Sequence, residues 1–343
     1  MRIITIVITA RIAATTIIKG VEAMKIAFVG KGGSGKSTMT ALFIRYLQSV
    51  KGDNVLAIDA DLNMNLAGLL SVKVDGDNVL ANPEIQKNLR TYLKGTNSRI
   101  ANASSFLPTT LPGKGSNLIT RVDDAALAPY AVRVSENPSV NLLTVGAYGK
   151  EEIGQACYHT HLFMAENLLS HTRLPVGSHV VCDMVAGTDA FAYSLHLQFD
   201  CIVLIAEPTP ESAQVCRNYL ELAREAGVES LIHLVANKIE DEDDLDFIRK
   251  NSGLEPLAVL PVMPMLKKLR QQGSGIEADS MNDVISDAME KIHVKGLSPA
   301  ISQPERMNML TTLHGKLATH GWVKSSYGDV LSQIDADYLR KAG

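Results

Sequence analysis

Gly30-Lys31-Gly32-Gly33-Ser34-Gly35-Lys36-Ser37-Thr38 decides the fold of this chain. The stretch fits G-x-x-x-x-G-K-[ST]. Its glycines let the backbone wrap with N–H groups pointing inward, an anion nest at a helix N-terminus. Lys36 is placed to neutralise β- and γ-phosphates, and Ser37 to offer its hydroxyl to Mg²⁺. An apolar strand, Lys25–Val29, precedes the loop, and a helix follows with Met39, Leu42, Phe43, Tyr46 and Leu47 on one face.

Working outward, apolar runs alternate with helical patterns. Strands are predicted at Val55–Ile58, Leu142–Val145, His179–Cys182, Cys201–Ala206, Leu231–Ala236 and Leu257–Leu260. Thr209 caps a predicted helix that Gly227 stops, and Glu242–Ser252 reads as another. Such alternation builds βαβ units, hence an α/β fold: a P-loop NTPase with a mostly parallel twisted sheet and helices on both faces. Asp59, Asp183, Glu207 and Asn237 fall just past strand ends, the edge where open α/β sheets bind ligands.

Three acidic or amide elements extend the loop chemistry. Asp59 and Asp61 sit in Asp59-Ala60-Asp61-Leu62-Asn63; Asp59 is placed to help hold hydrated Mg²⁺, and Asp61 faces the γ-phosphate or makes a turn. Val180-Val181-Cys182-Asp183 is an apolar strand ending in a carboxylate for Mg²⁺-bound water, and Ala186-Gly187 follows as a loop able to approach the phosphate. Asp189 can join that loop or cap a helix. Asn237-Lys238-Ile239-Glu240 ends a further strand; the Asn237 amide can read adenine N6 and N7, and Glu240 is a methylene too long for the Asp that binds guanine in N-K-x-D. ATP/ADP is the expected nucleotide.

Lys31, a second lysine after the first glycine, marks the deviant Walker A pattern. On these residues the chain resembles the MinD/ParA class of P-loop ATPases. The resemblance implies a homodimer with two ATP molecules between subunits, Lys31 reaching the opposite nucleotide, Asp61 orienting the attacking water, and slow turnover. Catalysis is thus expected of Lys31, Lys36 and Asp61, and nucleotide binding of residues 30–38 with Gly187, Asn237 and Lys238.

In MKIAFVGKGGSGKST, IDADLNMNLAGLL, CDMVAGTDAF, LIAEPTPES and LVANKIED the chain resembles the CooC-type accessory ATPases, which support nickel insertion into carbon monoxide dehydrogenase. The similarity covers about residues 24–272 and implies a metalloenzyme client. Those relatives carry a C-x-C metal pair; here Cys157 is followed by His159 and His161, a departure that places Ni²⁺ or Zn²⁺ binding at a dimer interface in question. A partitioning or positioning ATPase, and a nucleotide-gated module with little turnover, are the competing readings.

Composition excludes other classes. Of 343 residues 46% are hydrophobic and 20% charged, an ordinary globular mix. Lys and Arg total 33 against 37 Asp and Glu, so a net charge of −4 speaks against bulk binding of nucleic acid or anionic membrane. Four cysteines make no secreted disulfide framework, and a reducing cytoplasm is expected. Residues 1–23 are apolar with Arg2, Arg11 and Lys19 interspersed: an extension read from an upstream start, with Met24 the natural one, or an edge strand, or a membrane element. The ATPase domain is expected over residues 24–295, with an insertion at about 75–141 carrying a helix near Glu84–Leu93. A helical extension over 296–343 is expected to include Pro304–Ala318 and Tyr327–Lys341.

Overall fold

In a computed structural model, which describes residues 23–147 and 159–342, every predicted apolar run is a strand of one sheet. The strands are β1 (Lys25–Gly30), β2 (Asn54–Ala60), β3 (Val132–Glu136), β4 (Ser139–Thr144), β5 (Ser178–Met184), β6 (Cys201–Ala206), β7 (Ile232–Ile239) and β8 (Ala258–Pro261). Their order is β3-β4-β2-β5-β1-β6-β7-β8, parallel throughout except for β3 against β4. β1 lies between β5 and β6, so the chain crosses from one half of the sheet to the other there. The loop after β1 is therefore at the topological switch point.

Alternation along the strands builds two cores. Ile26 and Phe28 of β1 join Val55, Ala57, Val203 and Ile205 on one face. Ala27 and Val29 join Leu56, Ile58, Ile202 and Leu204 on the other. The first face is covered by α1 (Lys36–Tyr46), α2 (Asn65–Leu69), α7 (Pro264–Gln271) and α8 (Asp283–Gly296). The second is covered by α3 (Pro83–Lys94), α4 (His159–Ser170), α5 (Pro210–Glu225), α6 (Glu242–Ser252) and α9 (Gln303–Ala318). The periodicity predicts one apolar face on α1, yet Thr38 to Tyr46 are all buried, because α8 packs over the side turned away from the sheet.

Two elements depart from the sequence-based expectation. β3 is an added edge strand, half exposed and carrying Arg133 and Glu136, the charged content that keeps edges from pairing further. The helix expected at Tyr327–Lys341 is two: α10 (Gly321–Tyr327) stops at Gly328, φ 73°, and α11 (Ala336–Ala342) begins afresh. Between them Val330 enters a small cluster with Leu107, Leu317 and Val323, and that burial holds the break.

Glu166 of α4 is buried among these elements, its carboxylate accepting the Ser194 N–H at 2.9 Å and the Ser194 hydroxyl. Burial pushes it from 4.5 up to about 7, and the Ser194 bonds only partly oppose this. Between those values the folded chain keeps a proton that the unfolded chain releases, so stability is full below 4.5 and falls as the pH rises to about 7. A gap of this size corresponds to ~3 kcal/mol. Glu166→Gln cannot ionise, so its advantage over the wild type in urea unfolding is expected to grow from pH 5 to pH 8; parallel pH profiles would contradict this.

Candidate functional site

The loop from Gly30 to Gly35 is wedged between β6 and β7. A Cβ on Gly30, φ 143°, would stand 2.5 Å from the Ile205 carbonyl oxygen, and one on Gly35, φ 104°, would stand 2.5 Å from Asn237 Nδ2. The backbone oxygen at Gly30 cannot move aside, and at Gly35 the positive φ strains any side chain. Asn237 Nδ2 donates to the Ser34 carbonyl at 2.8 Å, and Lys238 Nζ donates to the Gly33 carbonyl at 2.7 Å. The end of β7 thus clamps the loop, and Asn237 keeps its Oδ1 for other contacts. Gly187 N–H, after β5, donates to the Gly30 carbonyl at 3.3 Å.

α3, α5, α6, α8 and α9 each begin on a side-chain cap, from Asn82, Thr209, Asp241, Asn282 and Ser302. α1 begins on Gly35 with no side-chain cap and no acid in its first turn. Its N-terminal N–H groups and the positive end of its dipole are left for an anion. Ser34 Oγ is buried there without a hydrogen-bond partner.

Lys36 is buried beside this N-terminus, with Nζ 3.5 Å from Asp61 Oδ2. The other Asp61 oxygen accepts from Asn63 N at 3.0 Å and Asn63 Nδ2 at 2.8 Å. One oxygen makes the turn that the sequence allowed, and the other faces the lysine. Asp59 and Asp183 are register partners on β2 and β5. Asp59 accepts from Asp61 N at 3.2 Å and Leu66 N at 3.0 Å. Asp183 accepts the Thr40 hydroxyl at 3.4 Å, and its Oδ2 is buried without a partner. Burial and the neighbouring carboxylate push Asp59 above the usual carboxylate range; burial does the same to Asp183, against the Ser37 hydroxyl and Lys36. An orphaned buried carboxylate oxygen near two hydroxyls fits a hard divalent cation such as Mg²⁺, which the Ser37, Asp59 and Asp183 oxygens would hold directly or through water.

Lys31 lies on the rim, Nζ 3.0 Å from Glu207 Oε1, while Lys238 Nζ is 2.6 Å from Glu207 Oε2. Burial works against the Glu207 charge, but the two lysines prevail and hold its pKa below the usual range. Sequence reasoning placed Glu207 past a strand end without giving it a task; its position directly after a fully buried strand was the available signal.

The residues expected to hold a transition metal lie on or just before α4 in the sequence. Cys157 lies outside the described residues, His159 opens α4, and His161 is buried on that helix. Among the described residues Cys182, Cys201 and Cys216 are free and buried, and burial pushes their thiols well up. His179 and His293, to which the sequence gave no role, meet Asp53 at the opposite edge of the sheet. Among the described residues no helix is long and apolar enough to cross a membrane.

The family model of the CobQ/CobB/MinD/ParA nucleotide binding domain matches residues 26–278. The chain belongs to this family. Within the CobQ/CobB/MinD/ParA family, it is 31% identical over 225 residues to the carbon monoxide dehydrogenase accessory protein CooC of Rhodospirillum rubrum, covering 66% of this chain and 78% of that protein. It is 25% identical over 275 residues to an uncharacterized ATP-binding protein of Methanocaldococcus jannaschii, covering 79% of this chain and 99% of that one. Among solved structures, a ParA family ATPase from Chlorobium tepidum TLS matches with a TM-score of 0.53 at 20% identity, over 78% of this chain and 98% of that one. The cell division ATPase MinD of Pyrococcus furiosus matches at 0.50 and 20%, over 79% and 99%. The two structures establish the shared fold, a P-loop NTPase sheet.

Gly35→Ala puts a methyl group against Asn237 in a backbone conformation that costs an L-residue roughly 1–3 kcal/mol. Nucleotide affinity by titration calorimetry is expected to fall roughly tenfold or more; an unchanged affinity would mean the loop is not built around that glycine.

Proposed function

We propose that the protein is an ATP-hydrolysing dimeric switch that serves as an accessory factor in the maturation of a metalloenzyme. The observation that carries the reading is the gathering of Lys36, Asp59, Asp61 and Asp183 around an uncapped helix N-terminus and a glycine loop. The loop N–H groups and Lys36 take the phosphates, residues 32–38 wrap them, and Asn237 with Lys238 borders the base. Ser37, Asp59 and Asp183 would hold Mg²⁺, directly or through water, and the ion would supply charge neutralisation at the phosphates. With Lys36 turned to the phosphates, Asp61 Oδ2 is released to orient the attacking water. Lys31 leaves Glu207 and reaches the nucleotide of the second subunit, and Gly187 follows the γ-phosphate.

The accessory role is supported by the likeness to CooC, including Glu207-Pro208-Thr209. In this reading the chain acts in the cytoplasm on a client metalloenzyme, carrying Ni²⁺ or Zn²⁺ through Cys157, His159 and His161 across the two-fold axis, with no nucleic acid and no stable membrane association. Nucleotide drives the cycle because cargo affinity differs between the open and closed dimers.

Light scattering after size exclusion tests the switch. Asp61→Ala is expected to dimerise with ATP and Mg²⁺, to stay monomeric with ADP, and to lose about 10²-fold or more in turnover. Lys31→Ala is expected to stay monomeric with ATP. A monomer for Asp61→Ala under every nucleotide would contradict the sandwich.

A further inference from the structure

We propose that Asp53, His179 and His293 form a separate site for a late first-row divalent ion, Zn²⁺ or Ni²⁺, at the edge of the sheet opposite the phosphate loop. Each residue offers one ligand atom, and the three atoms lie within 4.8 Å of one another. Donors around a tetrahedral ion, each about 2.0–2.1 Å from it, stand ~3.3 Å apart. His179 Nε2 and Asp53 Oδ2, at 3.1 Å, already have that spacing. The widest separation closes by ~1.5 Å, a side-chain adjustment.

The three residues come from different elements: Asp53 just before β2, His179 at the start of β5, and His293 on α8. Only the folded sheet and its covering helix unite them. Both histidines are buried, and the Asp53 side chain, 20% exposed, opens the cluster to solvent.

A structural hydrogen bond accounts for His179 and Asp53 but leaves His293 unexplained. Its ring meets His179 edge to face, centroids 5.8 Å apart, and touches Tyr46, yet it makes no hydrogen bond among the described residues. Two neutral imidazoles and a carboxylate suit Zn²⁺ and Ni²⁺ rather than Mg²⁺ or Ca²⁺. Glu290, one turn before His293, is held by Lys51 at 2.6 Å and by the Tyr46 hydroxyl, so the lysine cancels that carboxylate and Asp53 supplies the net negative charge.

His179 Nδ1 accepts from Met24 N at a long 3.3 Å, which leaves the ring proton on Nε2, toward Asp53. An ion on Nε2 displaces that proton to Nδ1, and the long bond is the contact that gives way. The site therefore favours ions that bind imidazole strongly.

The proposal does not rest on the ATPase reading, and the Cys157 cluster is separated from it in the test. Full-length Cys157→Ala protein is dialysed against ZnCl₂ or NiCl₂, bound metal is measured, and Co²⁺ is added as a visible-absorbing probe. About one ion per chain is expected, with Co²⁺ d–d bands of imidazole–carboxylate ligation. Asp53→Asn and His293→Gln, each in that background, are expected to weaken binding roughly tenfold or more. Circular dichroism and nucleotide binding verify the fold; should His293→Gln unfold, Asp53→Asn at the exposed margin carries the test. No stoichiometric ion in the Cys157→Ala protein, or equal affinity in the folded variants, would overturn the assignment.

Discussion

The carboxylate of Glu207 lies between two ammonium groups, Lys31 at 3.0 Å and Lys238 at 2.6 Å. Lys238 also reaches the Gly33 carbonyl, so one acid at the end of β6 ties together the loop after β1 and the end of β7. Three strand ends that face the same edge are locked in register by this contact and by Asn237 on the Ser34 carbonyl. Lys31 Nζ makes one hydrogen bond at the rim, to Glu207, where Lys238 Nζ makes two. An anion of higher charge density presented from outside competes for it directly. In the cycle proposed above, that competition frees Lys31 from Glu207 for the nucleotide of a neighbouring subunit.

Beneath the rim the charge balance runs the other way. Asp59, Asp61 and Asp183 crowd one buried lysine, Lys36, and Asp59 and Asp183 stand opposite each other on adjacent strands. Burial of like charges pushes both acids toward the protonated form. A divalent cation reverses that logic, because its charge stabilises both carboxylates at once. In the proposed function, phosphates at the loop and a cation beside them would offset these two opposite charge deficits.

Much of this was legible in the sequence. Apolar runs buried on both faces read directly as strands, and the polar residue closing each run marked the working edge. The glycine loop carried its own spacing. What failed had physical reasons. β3 is half exposed, so Val132 and Val134 gave too weak an alternation to register. The last helix was broken by Gly328 and by the burial of Val330, a tertiary contact with Leu107 that no local pattern announces. Glu207 showed its place but not its partners, which come from two other strand ends. Asp53, His179 and His293 are remote in sequence and share no motif; only the packing of α8 over α1 and the sheet unites them.

The central claim is that the ATP site is completed across a subunit boundary by Lys31. Mixing two defective chains, Lys31→Ala and Asp61→Ala, tests it most directly. Each is expected to be inactive alone. In a mixed dimer the Lys31→Ala subunit keeps its own Asp61 and receives Lys31 from its partner. Only mixed dimers carry a competent site, one of their two, so turnover should rise well above that of either chain alone while staying below the wild-type value. No recovery on mixing, or wild-type turnover by Lys31→Ala alone, would contradict the account.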